Sequence, residues 1–285
     1  RYCNFGEFPL VTMVQNMCPM ISIPGNPVSE RLRYIAQRYE AKIAARMSTR
    51  VIVPTNFVRD FLVKKWHISP QRVQTIHYGS NKPNEDVSLY KPAIIPKEWK
   101  GNFIFTFGSI EPYRGLEDIL RAMEQLQFDD TFVGLVIAGY ARGNMLGYQK
   151  KLTQWVDRHN LTRGVRWTGQ LTGEEASWCY RNCRIFVMTS RVESLSMIGL
   201  EALAHGCICV VANNPPLPEI FGDAAQYYAP YDSKHLAHMI TEVFGYNQTE
   251  FEKASMKARN RAGTFSWAMT AQKTIHVFQD AIASY

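Results

Sequence analysis

From Asn102 to Tyr228 the chain alternates short apolar runs with longer helical stretches, and this rhythm limits the available folds more than any other feature. The runs fall at 103–107, 135–138, 165–168, 185–189, 208–212 and 226–228. Near-continuous apolar character is what a strand buried on both faces requires. All but the last two runs are separated by helical stretches, with helices read at 116–126, 145–159, 174–181, 198–205 and 233–244. Such repetition predicts a doubly wound parallel α/β sheet covered on both faces. In that architecture ligands bind beyond the carboxyl ends of the strands. The loops after Phe107, Ala138, Thr168 and Thr189 therefore hold the candidate site.

The first third is less regular. A strand at 10–14 precedes a proline-rich turn region at 19–27, and Ser29 is read as the cap of a helix that follows. On that helix Leu32, Ile35, Ala36, Tyr39, Ile43 and Met47 recur at three and four residues, with Arg31, Arg33, Arg38, Lys42 and Arg46 between them. A strand at 51–54, a helix near 58–65 and a strand at 73–76 complete an α/β segment too short for a whole domain. Residues 81–101, with Pro83, Pro92 and Pro96, have linker composition. The expected organisation is a partial N-terminal α/β domain at 1–85, a linker at 86–101, a Rossmann-like domain at 102–265 and a final helix at 266–285.

Charge divides along the same line. Residues 1–101 carry 15 basic and 7 acidic side chains, net +8, while the remainder carries 17 and 18, net −1. That local field suits an anionic substrate or lipid headgroups and by itself assigns no ligand. No apolar run approaches the ~20 residues needed to cross a bilayer. The composition is that of a soluble globular chain. The six cysteines, at 3, 18, 179, 183, 207 and 209, contain no CxxC pair. They read as reduced packing residues in a cytosolic protein. The seven histidines offer no cluster at metal-ligand spacing, and the Asn247-Gln248-Thr249 triplet carries no weight without a secretory context. With no signal peptide and Arg1 in place of Met, the chain reads as cut from a longer one.

Two loops carry chemistry. After the first strand comes Gly108-Ser109-Ile110-Glu111-Pro112-Tyr113-Arg114-Gly115. It is neither GxGxxG nor GxxxxGK[ST], which removes the main warrant for a dehydrogenase or a P-loop hydrolase. Arg114 at the mouth of a sheet suits a diphosphate, which it can hold by charge-assisted hydrogen bonds. After the fourth strand, Glu193 precedes a helix and Glu201 lies inside it, eight positions on. Ser196 is the expected N-cap, so the amides of Met197 and Ile198 face the crevice as a phosphate site. Glu201 is placed to accept hydrogen bonds from the two hydroxyls of a ribose, and Glu193 reaches the group beyond the phosphates.

These residues resemble the E-x7-E signature of family 4 of the retaining GT-B glycosyltransferases. The flanks agree: Thr189-Ser190 before it, Ala202-Leu203-Ala204-His205-Gly206 after Glu201, and Pro218-Glu219-Ile220 further on. Residues 108–115 resemble the family's phosphate loop, Val136-Ile137-Ala138-Gly139 its second strand and turn, and 165–171 the strand and loop that receive the base. Phe265-Ser266-Trp267 opens a helix similar to the one that crosses back to the other domain. The resemblance covers 51–285 well and 9–20 more loosely. It implies that Arg114 contacts the donor diphosphate, Glu201 the ribose and Glu193 the transferred sugar. It further implies donor-binding roles for Gly108, Ser109, Gly139, Gln170, Leu171 and the amides of Leu195, Ser196, Met197 and Ile198. Two positions depart from the family's pattern. Ser109 stands where an arginine is usual, and Gln15 where many members carry a histidine facing the sugar.

The expected activity is that of a retaining, metal-independent glycosyltransferase with catalytic residues Glu193 and Arg114. It would move a sugar from a UDP- or GDP-linked donor to a hydroxyl of a glycan or lipid-linked acceptor. No cofactor, no metal and no nucleic-acid partner are expected; the location is cytoplasmic, with peripheral membrane association. Ser109, Gln15 and the short front segment motivate the alternative of a non-catalytic nucleotide- or partner-binding relative, or a fragment. A nucleotide-sugar epimerase would need further ionisable residues beside the sugar, and none is identified.

Overall fold

A computed structural model describes residues 8–81, 83, 88–128 and 134–284. Cys3 and the domain boundary expected at 85/86 lie outside the described residues. In chain order the strands and helices are β1 (Val11–Met13), α1 (Val28–Met47), β2 (Arg50–Val53), α2 (Asn56–Trp66), β3 (Val73–Thr75), β4 (Phe103–Phe107) and α3 (Leu116–Phe128). They continue as β5 (Gly134–Ala138), α4 (Leu146–Arg158), β6 (Val165–Gly169), α5 (Gly173–Asn182), β7 (Ile185–Met188) and α6 (Met197–His205). The last are β8 (Cys209–Ala212), α7 (Leu217–Phe221), β9 (Ala225–Tyr228), α8 (Ser233–Phe244), α9 (Gln248–Gly263) and α10 (Trp267–Ala283).

Strands β4 to β9 form one parallel sheet in the order β6-β5-β4-β7-β8-β9. The sequence order reverses between β4 and β7, where Ile104 pairs with Ile185, so a crevice opens beyond Phe107 and Met188. Alternate side chains supply two cores, one on each face. Ile104, Ile137, Val187 and Val210 point one way, and Phe103, Phe105, Phe186 and Val211 the other. Each buried phenylalanine contributes about 2–3 kcal/mol of transfer free energy, so a polar residue at any of them is incompatible with the sheet. This six-stranded parallel sheet with a core on each face is the doubly wound α/β architecture expected from the sequence.

The first third forms a separate three-stranded parallel sheet, β1-β2-β3. Helix α10 returns to it, packing Val277 against Ile52 and Ile76. Gly79 explains the closeness of that return: a Cβ there would lie 2.3 Å from the Trp267 nitrogen.

Several local expectations need correction. Ser29 is not the cap of α1; Pro27 holds that position, its carbonyl accepting from Arg31 N–H, and Ser29 lies inside the first turn. Strand β8 starts at Cys209, one residue after the start of the expected run at 208–212. Between β8 and β9 lies a five-residue helix, α7, among Pro215, Pro216 and Pro218, which the expected helices do not include. Helix α9 is likewise additional to the expected helices, and Asn247 and Glu250 form a capping box at its start. The asparagine of the discounted triplet is thus a helix cap. Cys18, Cys179, Cys183, Cys207 and Cys209 are unbridged and buried.

Candidate functional site

The floor of the crevice is built by glycines at points where backbones nearly touch. Gly108, ending β4, has φ +136 and donates to the Ala138 carbonyl at 3.0 Å. Gly139, ending β5, has φ +121, and a Cβ on it would sit 1.8 Å from the Gly108 oxygen. Only glycine fits that approach. Beyond it Gly139 N–H reaches the Gly169 carbonyl at 2.8 Å, which sets the exposed Gln170 and half-buried Leu171 at the adjoining strand end.

A short 3-10 turn, Pro112–Arg114, then aims Arg114 into the crevice, and Gly115 (φ +62) closes it against the Thr189 carbonyl. Arg114 Nη1 donates to Glu193 Oε1 at 2.6 Å and to Ser190 Oγ at 3.3 Å. Its Nε is buried without a partner, a donor left over for a ligand. Burial is the largest single influence and works against the Arg114 charge, but Glu193, Tyr113 and Cys18 together outweigh it and raise the guanidinium's pKa. Ser109 Oγ bonds Tyr113 OH at 2.9 Å, and the Tyr113 ring lies 4.9 Å from the Arg114 guanidinium.

The second loop delivers Glu193 and the start of α6. Ser196 caps α6 as expected, its Oγ accepting from Gly199 N–H at 3.1 Å. It does so in the left-handed region, at φ +94. The first intrahelical bond runs from Leu200 N–H to the Ser196 carbonyl, so the amides of Met197 and Ile198 precede it and point outward. Leu195 turns its side chain into the core and leaves only its backbone to the crevice. One turn into α6, Glu201 Oε2 accepts from Tyr180 OH at 3.3 Å. Burial raises the Glu201 pKa, and the Tyr180 bond partly offsets this.

Residues absent from the sequence reading hold this loop in place. Asp118 on α3 is 1% exposed and accepts from Arg191, Tyr228 OH (2.9 Å) and Tyr231 N–H (3.1 Å). The Arg191–Asp118 contact is two-pronged, from Nη1 and Nη2. From the small sheet, Thr55 Oγ1 donates to the Ser194 carbonyl at 2.8 Å while capping α2. Val192 and Tyr113 join the small sheet's core. The two sheets therefore meet at the crevice. Gln15, just beyond β1, is exposed and donates to Met13 Sδ.

A cavity of about 1040 Å³ lies elsewhere. It opens at the amino-terminal edge of the large sheet beside His205, Cys207, Arg259 and Trp267. The strand-end crevice is the better ligand site because it gathers a cation, two carboxylates and free helix amides, whereas the larger void gathers no comparable set. Among the described residues no group of three His, Cys, Asp or Glu side chains is placed to hold a metal. None of the described helices is long and apolar enough to cross a membrane.

Residues 91–261 match the family model described as glycosyl transferases group 1. The O-antigen chain mannosyltransferase B of Escherichia coli is 24% identical over 260 residues, 88% of this chain and 65% of its own length. A D-inositol 3-phosphate glycosyltransferase of Mycolicibacterium gilvum is 24% identical over 83% of this chain and 53% of its own. The chain thus spans between half and two thirds of these relatives. Among solved structures, Anabaena HepE in complex with UDP and glucose has a TM-score of 0.76 at 18% identity, over 95% of this chain and 71% of that one. Sucrose-phosphate synthase of Thermosynechococcus elongatus has a TM-score of 0.75 at 17% identity, over 96% and 68%. With more than half of its length matched by the family model, this chain belongs to the glycosyl transferases group 1 family.

Proposed function

We propose that this chain binds a UDP- or GDP-linked sugar at the β4/β7 crevice and serves a retaining, metal-independent transfer to a hydroxyl acceptor. The observation that carries the reading is the Arg114–Glu193 pair set beside the free amides of α6. In the transfer the anomeric C–O bond to the diphosphate breaks and a bond to the acceptor oxygen forms on the same face. The acceptor's proton passes to the departing phosphate oxygen. Charge develops on that diphosphate, and Arg114 with the amides of Met197 and Ile198 is positioned to stabilise it. These groups supply the positive potential that a metal provides in other enzymes, and the chain carries no D-x-D motif.

Glu201 takes the ribose hydroxyls, Glu193 orients the sugar, and Gln170 with Leu171 borders the base, as the resemblance to family 4 of the GT-B glycosyltransferases implies. Residues 102–265 form the donor-binding unit in this reading, 1–85 a partial acceptor-side unit, and 266–285 the returning helix. The acceptor is a glycan or a lipid-linked glycan. The protein works in the cytoplasm, peripherally at a membrane, as the basic first third supports.

Thermal stability in the presence of UDP, GDP, ADP and their sugars tests the donor site. A ligand at 100 times its dissociation constant adds about 2.7 kcal/mol to the native state. A shift with one base, lost in Glu201→Gln, is the expected result; no shift with any of them in folded protein overturns the reading. Ser109 favours a second reading, a non-catalytic nucleotide-binding relative, because it removes a cation usual at that loop. Nucleotide binding without sugar transfer would select it.

A further inference from the structure

Tyr180, in the last turn of α5, is buried, and its ring is fixed from three other elements. From β4, Phe105 meets it edge-on with ring centres 5.1 Å apart, and Phe107 lies at 6.2 Å. From β7, Phe186 lies at 5.6 Å, and from α6, His205 stacks on it at 4.9 Å. A ring packed so closely on all sides holds a single rotamer. The backbone is tied as well, because the Tyr180 carbonyl accepts from Cys207 Sγ at 3.1 Å and from Cys183 Sγ at 3.4 Å. The phenolic oxygen therefore has a fixed place in the fold.

That oxygen has two acceptors within reach, Glu201 Oε2 and the Ile198 carbonyl, each at 3.3 Å. A phenol has one proton to give. Along an α-helix the carbonyl at 198 already takes the amide at 202, so an ionised Glu201 is the stronger acceptor. Burial, with Glu201 beside it, pushes the Tyr180 pKa well up, which keeps the hydroxyl a donor. Glu201 is only half-buried, and its side chain has three torsions of its own. The bond to a fixed phenol takes up that freedom. It engages Oε2 and leaves Oε1 facing a ligand.

We propose that Tyr180 is a positioning residue that makes the nucleotide site selective for ribose over 2-deoxyribose. By holding Oε2 it sets the plane of the Glu201 carboxylate, so that Oε1 and the outer lone pair of Oε2 accept from two neighbouring hydroxyls. A 2-deoxyribose supplies one of those hydroxyls and leaves a carboxylate lone pair without a partner. A carboxylate free to turn would follow the single hydroxyl and discriminate poorly. The inference rests on the ribose role of Glu201 and adds what orients it.

Isothermal titration with UDP, GDP and ADP, each against its 2′-deoxy counterpart, tests it. The wild type should favour the ribose form of the nucleotide it binds by at least about tenfold. Tyr180→Phe keeps the ring and its packing, and should reduce that preference to about threefold or less, chiefly by weakening the ribose form. In a Glu201→Gln background the same substitution should change affinity by less than about twofold, since Tyr180 acts through the carboxylate. A merely structural tyrosine would weaken binding equally in both backgrounds, and that result overturns the proposal. An undiminished preference in folded Tyr180→Phe overturns it too and leaves the Glu201 role standing. Equal binding of both forms by the wild type removes the ribose role itself, and the proposal with it. No binding of any nucleotide by folded wild type overturns the donor reading on which both depend.

Discussion

Arg114 and Glu193 neutralise each other across the switch point of the large sheet, Nη1 to Oε1 at 2.6 Å, with side chains 16% and 12% exposed. A diphosphate competing for the guanidinium would release the carboxylate toward the sugar hydroxyls, so one event arms both groups. Removing one partner of such a pair leaves an uncompensated charge, at a cost of about 3 kcal/mol. Arg114→Met should therefore lower stability by about that amount. The double variant Arg114→Met/Glu193→Leu should be more stable than the single one, with a coupling of at least ~1 kcal/mol in urea unfolding. Additive losses would show that the two side chains do not depend on each other.

Glu201 is a charge kept in the fold at a cost to stability. Its folded pKa is raised by burial, so its contribution is favourable below the unfolded value and lost as pH rises through the folded one. At neutral pH the ionised side chain is destabilising. Glu201→Gln should melt slightly higher than the wild type at pH 7, with the gain fading toward pH 4, and should bind nucleotide about tenfold less tightly. Differential scanning fluorimetry with and without nucleotide reads both effects. A variant that melts lower and binds equally well would remove the assigned role.

The large sheet was legible in the sequence because its strands are short, apolar and separated by punctuated helices. The same periodicity could not orient α1: spacing at three and four residues identifies an apolar face but not which way that face turns, and Leu32, Ile35 and Tyr39 on it are exposed. Helix α9 has a mixed face with only Ser255, Ala258 and Ala262 buried, so its amphipathic signal is weak and only the capping box announced it. In the site, Arg114, Glu193, Ser196 and Glu201 were readable because two local loops carry them. Thr55 and Asp118 were not, since their partners lie 139 and 73 residues away in sequence. Contacts of that range are set by how the two sheets meet, which no local pattern records.

The Asp118–Arg191 pair should act on transfer through position rather than contact. Arg191 stands three residues beyond the end of β7, and its guanidinium also lies 3.6 Å from the Tyr231 ring centre. Arg191→Lys keeps the charge but cannot reproduce the two-pronged geometry. The loop bearing Glu193 should loosen, reducing kcat by about tenfold to a hundredfold. The nucleotide dissociation constant should change little, because Arg114 and α6 are intact. Asp118→Ala strands the buried Arg191 and should lower stability by about 3–5 kcal/mol. Wild-type kcat in Arg191→Lys would show that the loop is held without the pair.

Glu219 should make the joint between the two sheets acid-sensitive. From α7 it accepts from Asn56 N–H at 2.8 Å, Phe57 N–H at 3.2 Å and His77 Nε2 at 2.9 Å, all in the small-sheet part. Burial pushes its pKa up, but the His77 ring and the two amides at the start of α2 outweigh that and hold it below the ordinary 4.5. A lowered folded pKa means that the unfolded chain takes up the proton first as pH falls. The contribution is complete above 4.5 and disappears as pH drops through the lowered folded value. The urea midpoint of the wild type should fall through that window. Glu219→Gln should begin lower at pH 7, fall less steeply and converge with the wild type at the acid end. Parallel curves over the whole range would mean that the carboxylate charge does not hold the sheets together.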